Sequence, residues 1–352
     1  MGREFPGRPR VTTLYDSADG DRRMLLSVII PCLNEEDALR DTNSQLVSAL
    51  EQIPADFEIV YVDDGSTDST LDILRALQSS DKRIRVVRFS RNFGHQMAIT
   101  AGLEHAAGDA IVIIDADLQD PPAVIAEFVQ KWADGYDVVY GVRTDREGET
   151  AFKKLTATLF YRFMSLMSDT LIPLDTGDFR LMDRKVVDTL LSMPERDRFV
   201  RGMVSWLGFS QFGVSYRRAP RVAGVTKFSF LKMVRFALDG VFSFSTLPLR
   251  LATWVGFAAS MLALFGIAVV LLERFFEVPG LVKGWSSAII AELFIGGVQL
   301  ICMGIIGEYV GRIYGESKRR PLYIVQERIG FASREPVARP VRQSMIAAGN
   351  RK

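Results

Sequence analysis

Short apolar runs rich in valine and isoleucine recur along the first 140 residues, at 26–31, 58–62, 85–89, 110–114 and 137–140. Runs of this length, bounded by turn-forming residues and separated by longer segments with helical spacing, predict β-strands alternating with helices. The first and fourth runs carry no charge, the pattern of strands buried on both faces of a parallel sheet. The fold class expected is therefore α/β, a doubly wound sheet with right-handed crossovers. Polar residues follow the strands: Asn34 and Glu35 after the first, Asp63-Asp64-Gly65-Ser66 after the second, Arg91-Asn92-Phe93-Gly94 after the third, Asp115-Ala116-Asp117 after the fourth. In open α/β sheets these carboxyl ends face the ligand crevice.

Near the C-terminus the pattern changes. Residues 251–272 contain no charge, and at about 1.5 Å per residue they cover roughly the 30 Å hydrocarbon core of a bilayer. A second span is expected at 286–310, interrupted by Glu292, closed by Glu308, and carrying Gly296, Gly297, Gly304 and Gly307 for close helix contact. Lys227, Lys232, Arg235 and Arg250 precede the pair and Arg312, Lys318, Arg319 and Arg320 follow it. The connecting loop balances Arg274 and Lys283 against Glu273 and Glu277. This asymmetry predicts a hairpin with both ends cytosolic. Amphipathic helices are expected at 152–167 and 227–249, either on the inner leaflet or against the soluble domain. The organisation expected is a tail over 1–23, a cytosolic domain over 24–226, a juxtamembrane helix over 227–249, a membrane hairpin over 250–312, and a cytosolic tail over 313–352 with a short strand near 321–325.

Composition narrows the chemistry. Hydrophobic residues make up 48% of the chain, high for a wholly soluble enzyme, and 43 basic against 42 acidic residues leave no bulk field that favours nucleic acid. Cys32 and Cys302 offer neither a disulfide framework nor metal-thiolate spacing. The first 23 residues lack the apolar core of a signal peptide. No Gly-x-Gly-x-x-Gly follows the first strand and no phosphate-binding P-loop motif occurs, so nucleotide phosphates would need a cation. Asp115 and Asp117 suit a hard cation such as Mg²⁺ or Mn²⁺; the ordinary alternative is a turn before a helix opened by Pro121 and Pro122. Asp63 and Asp64 read as a turn and helix cap, or as acceptors for a uracil N–H or a ribose hydroxyl.

Four motifs and the membrane hairpin together carry a resemblance. They are Val28-Ile29-Ile30-Pro31-Cys32-Leu33-Asn34-Glu35-Glu36, Val62-Asp63-Asp64-Gly65-Ser66-Thr67-Asp68, Asp115-Ala116-Asp117-Leu118-Gln119-Asp120-Pro121-Pro122 and Thr176-Gly177-Asp178-Phe179-Arg180. From about residue 25 to about residue 330 the chain resembles family 2 polyprenyl-phosphate glycosyltransferases with a GT-A domain. It is most similar to bacterial undecaprenyl-phosphate glucosyltransferases and more distantly to dolichol-phosphate mannosyltransferase. The resemblance implies transfer of a hexose, with glucose from UDP-glucose the best choice, onto undecaprenyl phosphate with inversion. It also implies the cytosolic face of the bacterial inner membrane and a homo-oligomer such as a tetramer. Pro31, Asn34, Glu35 and Asp64 would then line the nucleoside pocket, with Asp63, Arg91 and Asn92 beside it. Asp115, Asp117 and Gln119 would surround the metal, and Asp178 falls on a catalytic position. Relatives often carry an acidic residue where this chain has Val225, and Arg221 and Lys227 would reach the diphosphate from that loop.

The acceptor phosphate, with a second pKa near 6 like that of phosphorylated side chains, is largely an anionic nucleophile at neutral pH. Placing it in line and neutralising charge are the harder tasks. Arg143 and Lys154 are the acceptor-phosphate candidates, and Arg180 is expected to hold Asp178. His95 and His105 are read as structural, although His95, in Asn92-Phe93-Gly94-His95, lies near the nucleotide edge. A processive polysaccharide synthase is the rival enzyme, although no Arg-Trp dipeptide is present; a non-catalytic scaffold or flippase subunit is the rival from another class.

Overall fold

The computed structural model describes residues 23–143, 176–217, 247–275 and 285–331. The strands are β1 (Leu25–Cys32), β2 (Asp56–Asp63), β3 (Ile84–Phe89), β4 (Ala110–Ile113), β5 (Val138–Arg143), β6 (Thr176–Asp183), β7 (Gln211–Tyr216) and β8 (Val325–Ile329). They form one sheet in the order β7-β5-β6-β4-β1-β2-β3-β8. The helices are α1 (Leu39–Leu50), α2 (Thr70–Ser80), α3 (His95–His105), α4 (Val124–Ala133), α5 (Arg184–Ser192), α6 (Val200–Trp206), α7 (Leu247–Phe275) and α8 (Trp285–Ser317).

The centre of the sheet, β3-β2-β1-β4, is parallel. The period-2 geometry of its strands explains why their sequences do not alternate with polar residues: both faces are covered. Val28, Ile30 and Val112 pack with Leu39, Leu46, Leu74 and Phe128 of α1, α2 and α4. Ile29, Ile111 and Ile113 pack on the opposite face with Ile99, Val186 and Met203 of α3, α5 and α6.

β6 enters antiparallel between β4 and β5, and β7 adds parallel to β5. All five strands expected from the apolar runs are present; β6 and β7 lie beyond them. The C-terminal strand differs from expectation in place. It begins at Val325, at the end of the anticipated 321–325, and pairs antiparallel with β3 of its own sheet. Tyr323 stacks on Phe89 with ring centroids 4.7 Å apart, which fixes the chain just before it.

The two edges of the sheet use their polar groups differently. At the amino edge, the buried Glu58 accepts from Ser27 Oγ at 2.6 Å and the Ala107 N–H at 2.6 Å, and pairs with Arg85 at 2.7 Å. Asp109 accepts the Leu25 N–H at 2.9 Å, and the Arg184 guanidinium donates to the carbonyls of Ala106 and Gly108. These charges hold loops together. The carboxyl edge carries the loops that the sequence marked for chemistry.

α7 and α8 are long and apolar enough to cross a membrane. Their surface decides against a soluble core: Phe257, Leu262 and Phe265 of α7 and Leu300, Ile301 and Met303 of α8 are each more than half exposed. Water does not favour such a continuous apolar surface, and lipid does. The chain is membrane-associated through these helices. The amphipathic segments expected at 152–167 and 227–249 lie outside the described residues.

Candidate active site

The register of β4 against β6 pairs Ile113 with Arg180. Continued two residues past the end of β4, the same register brings Asp115 to the level of Asp178. Into this gap α3 projects its first residue. His95 Nε2 lies 3.2 Å from Asp178 Oδ2 and 3.7 Å from Asp115 Oδ1, so one imidazole spans both carboxylates. His95 is therefore a site residue, contrary to the structural role expected of it. It starts a helix whose entry is set by Asp64, which accepts the Phe93 N–H at 2.6 Å and the Gly94 N–H at 2.9 Å.

The charges around Asp178 differ from those expected. Arg201 of α6 makes the ion pair, its Nη2 at 3.5 Å from Asp178 Oδ1. Arg180, expected to hold Asp178, instead donates from Nη2 to the Gly177 carbonyl at 3.0 Å and acts on the carboxylate through its charge. Gln96 donates to Asp178 Oδ2 at 3.3 Å and accepts the Val200 N–H at 2.9 Å, tying α3 to α6. Burial pushes the Asp178 carboxyl up, but the hydrogen bond from His95 and the charges of Arg201 and Arg180 outweigh it and hold Asp178 well below the usual carboxylate range. Burial lowers Arg180 to about 10, still charged at neutral pH.

Asp115 has the opposite balance. Burial and the nearby carboxylates of Asp178, Asp120 and Asp117 raise it to about 6, against the pull of His95. The local field thus has a surplus of negative charge, which a bound cation would relieve. Asp117 Oδ1 accepts the Gln119 N–H at 3.2 Å, and Leu118 between them is held at φ 55 although buried. Such a left-handed backbone costs a non-glycine residue roughly 1–2 kcal/mol and is concentrated at functional turns. Among the described residues no three His, Cys, Asp or Glu side chains form a complete metal cage. Two carboxylates with an adjacent amide are nonetheless the donor set that Mg²⁺ or Mn²⁺ takes when substrate phosphates and water complete its shell. The residues present fit such an ion.

At the ends of β1 and β2, Asn34 at φ 55 accepts the Thr67 N–H at 2.9 Å and donates its own N–H to Ser66 Oγ at 3.0 Å, locking the loop after β1 to the loop after β2. The Glu35 N–H donates to Thr70 Oγ1 at 2.9 Å. Pro31 is buried in β1 opposite Val62, beyond Ile29 where pairing with β4 ends, so its missing N–H breaks no ladder on that side. Asp63 makes the turn that was one of its two readings: it is fully buried, accepts the Ser66 N–H at 2.9 Å, and lies 3.7 Å from Arg88. Arg91 and Asn92 are exposed beside this loop, with the Arg91 guanidinium 4.0 Å from the Phe93 ring centroid.

Arg143 reaches the cluster from the end of β5. Its Nε donates to Tyr216 Oη at 3.3 Å, its Nη2 lies 3.9 Å from Asp120, and a Cβ added to Gly177 would fall 2.5 Å from Nη2. The Tyr216 hydroxyl in turn donates to Asp120. Lys154, Arg221 and Lys227, with the Val225 loop, lie outside the described residues. Sequence reading missed Gln96 and Arg201. The position of Gln96 beside His95, just past the third strand end, was a usable signal, whereas Arg201 sits in a helix that no motif marked.

Comparison with known proteins places this geometry. Residues 27–191 match the model for Glycosyl transferase family 2. The chain is similar to the uncharacterized glycosyltransferase YkcC of Bacillus subtilis (strain 168), 48% identical over 89% of this chain and 97% of that protein. It is similar to the bactoprenol glucosyl transferase of Shigella phage SfV, 44% identical over 86% of this chain and 98% of that one. Among solved structures it shows a distant likeness to glucosyl-3-phosphoglycerate synthase from Mycobacterium tuberculosis, 22% identical over 68% and 83% of the two chains, with a TM-score of 0.43. Near-complete coverage at such identity, on a mixed GT-A-like sheet whose carboxyl edge gathers Asp115, Asp117 and Asp178, means that the chain belongs to glycosyl transferase family 2.

Proposed function

We propose that this enzyme transfers glucose from UDP-glucose to the phosphate of a polyprenyl phosphate, undecaprenyl phosphate, at the cytosolic face of the bacterial inner membrane. The observation that carries the reading is the joining of two features in one chain. A carboxylate cluster suited to a metal-bound sugar diphosphate shares a domain with a loop that is ion-paired to the end of an exposed apolar helix, Arg312 of α8 lying 3.1 Å from Asp197. A relative named for bactoprenol glucosyl transfer supports the choice of sugar and acceptor.

In this mechanism Asp115 and Asp117, with Gln119 beside them, hold the divalent ion, Mg²⁺ or Mn²⁺. When bound, that ion supplies positive charge to the departing diphosphate. Asn34, Glu35 and Asp64 shape the nucleoside side, and the family resemblance assigns Arg221 and Lys227 to the diphosphate. An oxygen of the dianionic acceptor phosphate attacks the anomeric carbon from the face opposite the leaving group. The carbon–oxygen bond to the diphosphate breaks, its electron pair leaves with UDP, and a phosphodiester of inverted configuration forms without needing a strong base. Asp178, kept ionised by its neighbours, stabilises the positive charge that develops at the anomeric carbon. Arg143 and Lys154 add positive charge near the acceptor. The functional unit is a homo-oligomer.

Purified full-length protein given UDP-glucose, undecaprenyl phosphate and Mg²⁺ or Mn²⁺ is expected to form a glucosyl phospholipid, read by radiolabel transfer. Chelation, or Asp117→Asn, is expected to reduce turnover by about 100-fold or more, in the range set by loss of one strong electrostatic stabiliser. Undiminished turnover in either case removes the metal-assisted mechanism.

A further inference from the structure

We propose that Arg201 receives the acceptor's phosphate, positioned for it between Asp178 and a loop locked to the cytosolic end of α8. The proposal rests on the lipid-phosphate reading above and names a residue that neither the motifs nor the resemblance assigned.

Three observations support it. The first is the state of the side chain. Arg201 is anchored by Nη2 to Asp178 at 3.5 Å, its Nε is buried without a hydrogen-bond partner, and 23% of the side chain remains exposed. A guanidinium has five donors in a fixed fork, and a phosphate matches that geometry in two-point contact. Arg201 therefore has donor capacity left beside the reacting centre.

The second is charge. Asp178 carries one negative charge and is within the influence of two guanidiniums, those of Arg201 and Arg180. The guanidinium of Arg201, paired with Asp178 alone, is thereby the charge on this flank of the site that can take a further anion. Arg143 is less available, because Tyr216 and the buried Asp120 already engage it.

The third is the route from the membrane. In the loop between α5 and α6, Asp197 pairs with Arg312 at 3.1 Å and the Arg196 N–H donates to Glu316 Oε1 at 2.7 Å. The Arg196 guanidinium donates to the Arg320 carbonyl. Val200 and Arg201 follow at once, the first held by Gln96 and the second by Asp178. Only three residues of chain separate the contact with α8 at Asp197 from the contact with Asp178 at Arg201. The tie to α8 and the tie to Asp178 thus lie on one short segment of chain.

The test is steady-state kinetics on the full-length protein in lipid nanodiscs, varying undecaprenyl phosphate and UDP-glucose separately. Arg201→Gln is expected to raise KM for undecaprenyl phosphate at least tenfold and to leave KM for UDP-glucose within about twofold. Arg201→Lys, which keeps the charge but loses the fork, is expected to fall between. Arg312→Gln, which removes one of the loop's ties to α8 without touching the site, is expected to raise the acceptor KM about threefold. UDP binding by each variant, measured by titration, reports that it is folded. A fall in kcat with the acceptor KM unchanged in both Arg201 variants would show that Arg201 only holds Asp178, and overturns the proposal. If wild-type protein transfers no sugar to undecaprenyl phosphate, the broader reading fails instead, so the two failures are distinct.

Discussion

Single side chains in this site are defined by what their hydrogen bonds leave over. Asp64 uses both oxygens on the backbone of Phe93 and Gly94, and so sets the entry of α3 and the position of His95. Asp63, its neighbour in sequence, points inward and makes a turn. Adjacent identical residues therefore do different work, because consecutive side chains at a strand end face opposite ways. Gly65 closes the same turn at φ 75, and a Cβ there would sit 2.6 Å from the Arg91 carbonyl carbon. Gly65→Ala meets both an unfavourable backbone and a backbone clash, for which about 2–3 kcal/mol of destabilisation is expected. Thermal unfolding with and without UDP checks this; a melting temperature and UDP affinity equal to wild type would show that the loop does not depend on that approach.

At the level of elements, α3 and β8 show how the fold serves the site from outside it. α3 places His95 and Gln96 at its first two positions, and its far end meets the C-terminal segment. Glu104 there accepts from the Tyr323 hydroxyl, and His105 lies edge-on to Phe331 at 5.5 Å. β8 covers the β3 edge, which would otherwise present unpaired backbone groups. The segment after the membrane hairpin is thereby part of the catalytic domain's sheet. Tyr323→Ala removes the stack on Phe89 and the bond to Glu104, and about 2 kcal/mol of stability should be lost. Denaturant or thermal unfolding of the full chain in detergent tests it, and an unchanged midpoint would mean that β8 pairing alone holds the segment. The strand pattern of the sequence located β1 to β5 because their faces are uniformly apolar. It did not locate β6 and β7, whose Asp178, Arg180, Gln211 and Ser215 interrupt any apolar run.

For the whole molecule, the governing relation is between a water-soluble catalytic sheet and two helices whose apolar surface is unburied. The ion pair that joins the end of α8 to the domain, Arg312 with Asp197, is worth about 0–1 kcal/mol, so it orients the domain more than it stabilises it. The proposed topology has both chain ends and the catalytic domain cytosolic. It predicts that a cysteine at Ser80, exposed on the soluble domain, reacts with a membrane-impermeant maleimide only after cells are permeabilised. A cysteine at Gly280, in the loop between the spans, is expected to react in intact spheroplasts. The reverse labelling pattern would overturn the orientation.

The sequence alone determined what depends on local periodicity and on residue chemistry. Apolar strands of uniform face announced a covered parallel sheet, long apolar stretches announced two helices of membrane length, and Asp115 and Asp117 after a strand offered the donor type that a hard cation takes. Those signals are local, carried by neighbours in the chain. Tertiary structure alone decided the set of charges around Asp178, because His95, Gln96 and Arg201 come from helices separated by about a hundred residues and meet only through packing. It likewise decided that Asp63 is buried while Asp64 orders the α3 entry, that Arg201 rather than Arg180 pairs with Asp178, and that the last strand belongs to the sheet of the first. Residue type says what a group can do; only the fold says which charges it will face when it does it.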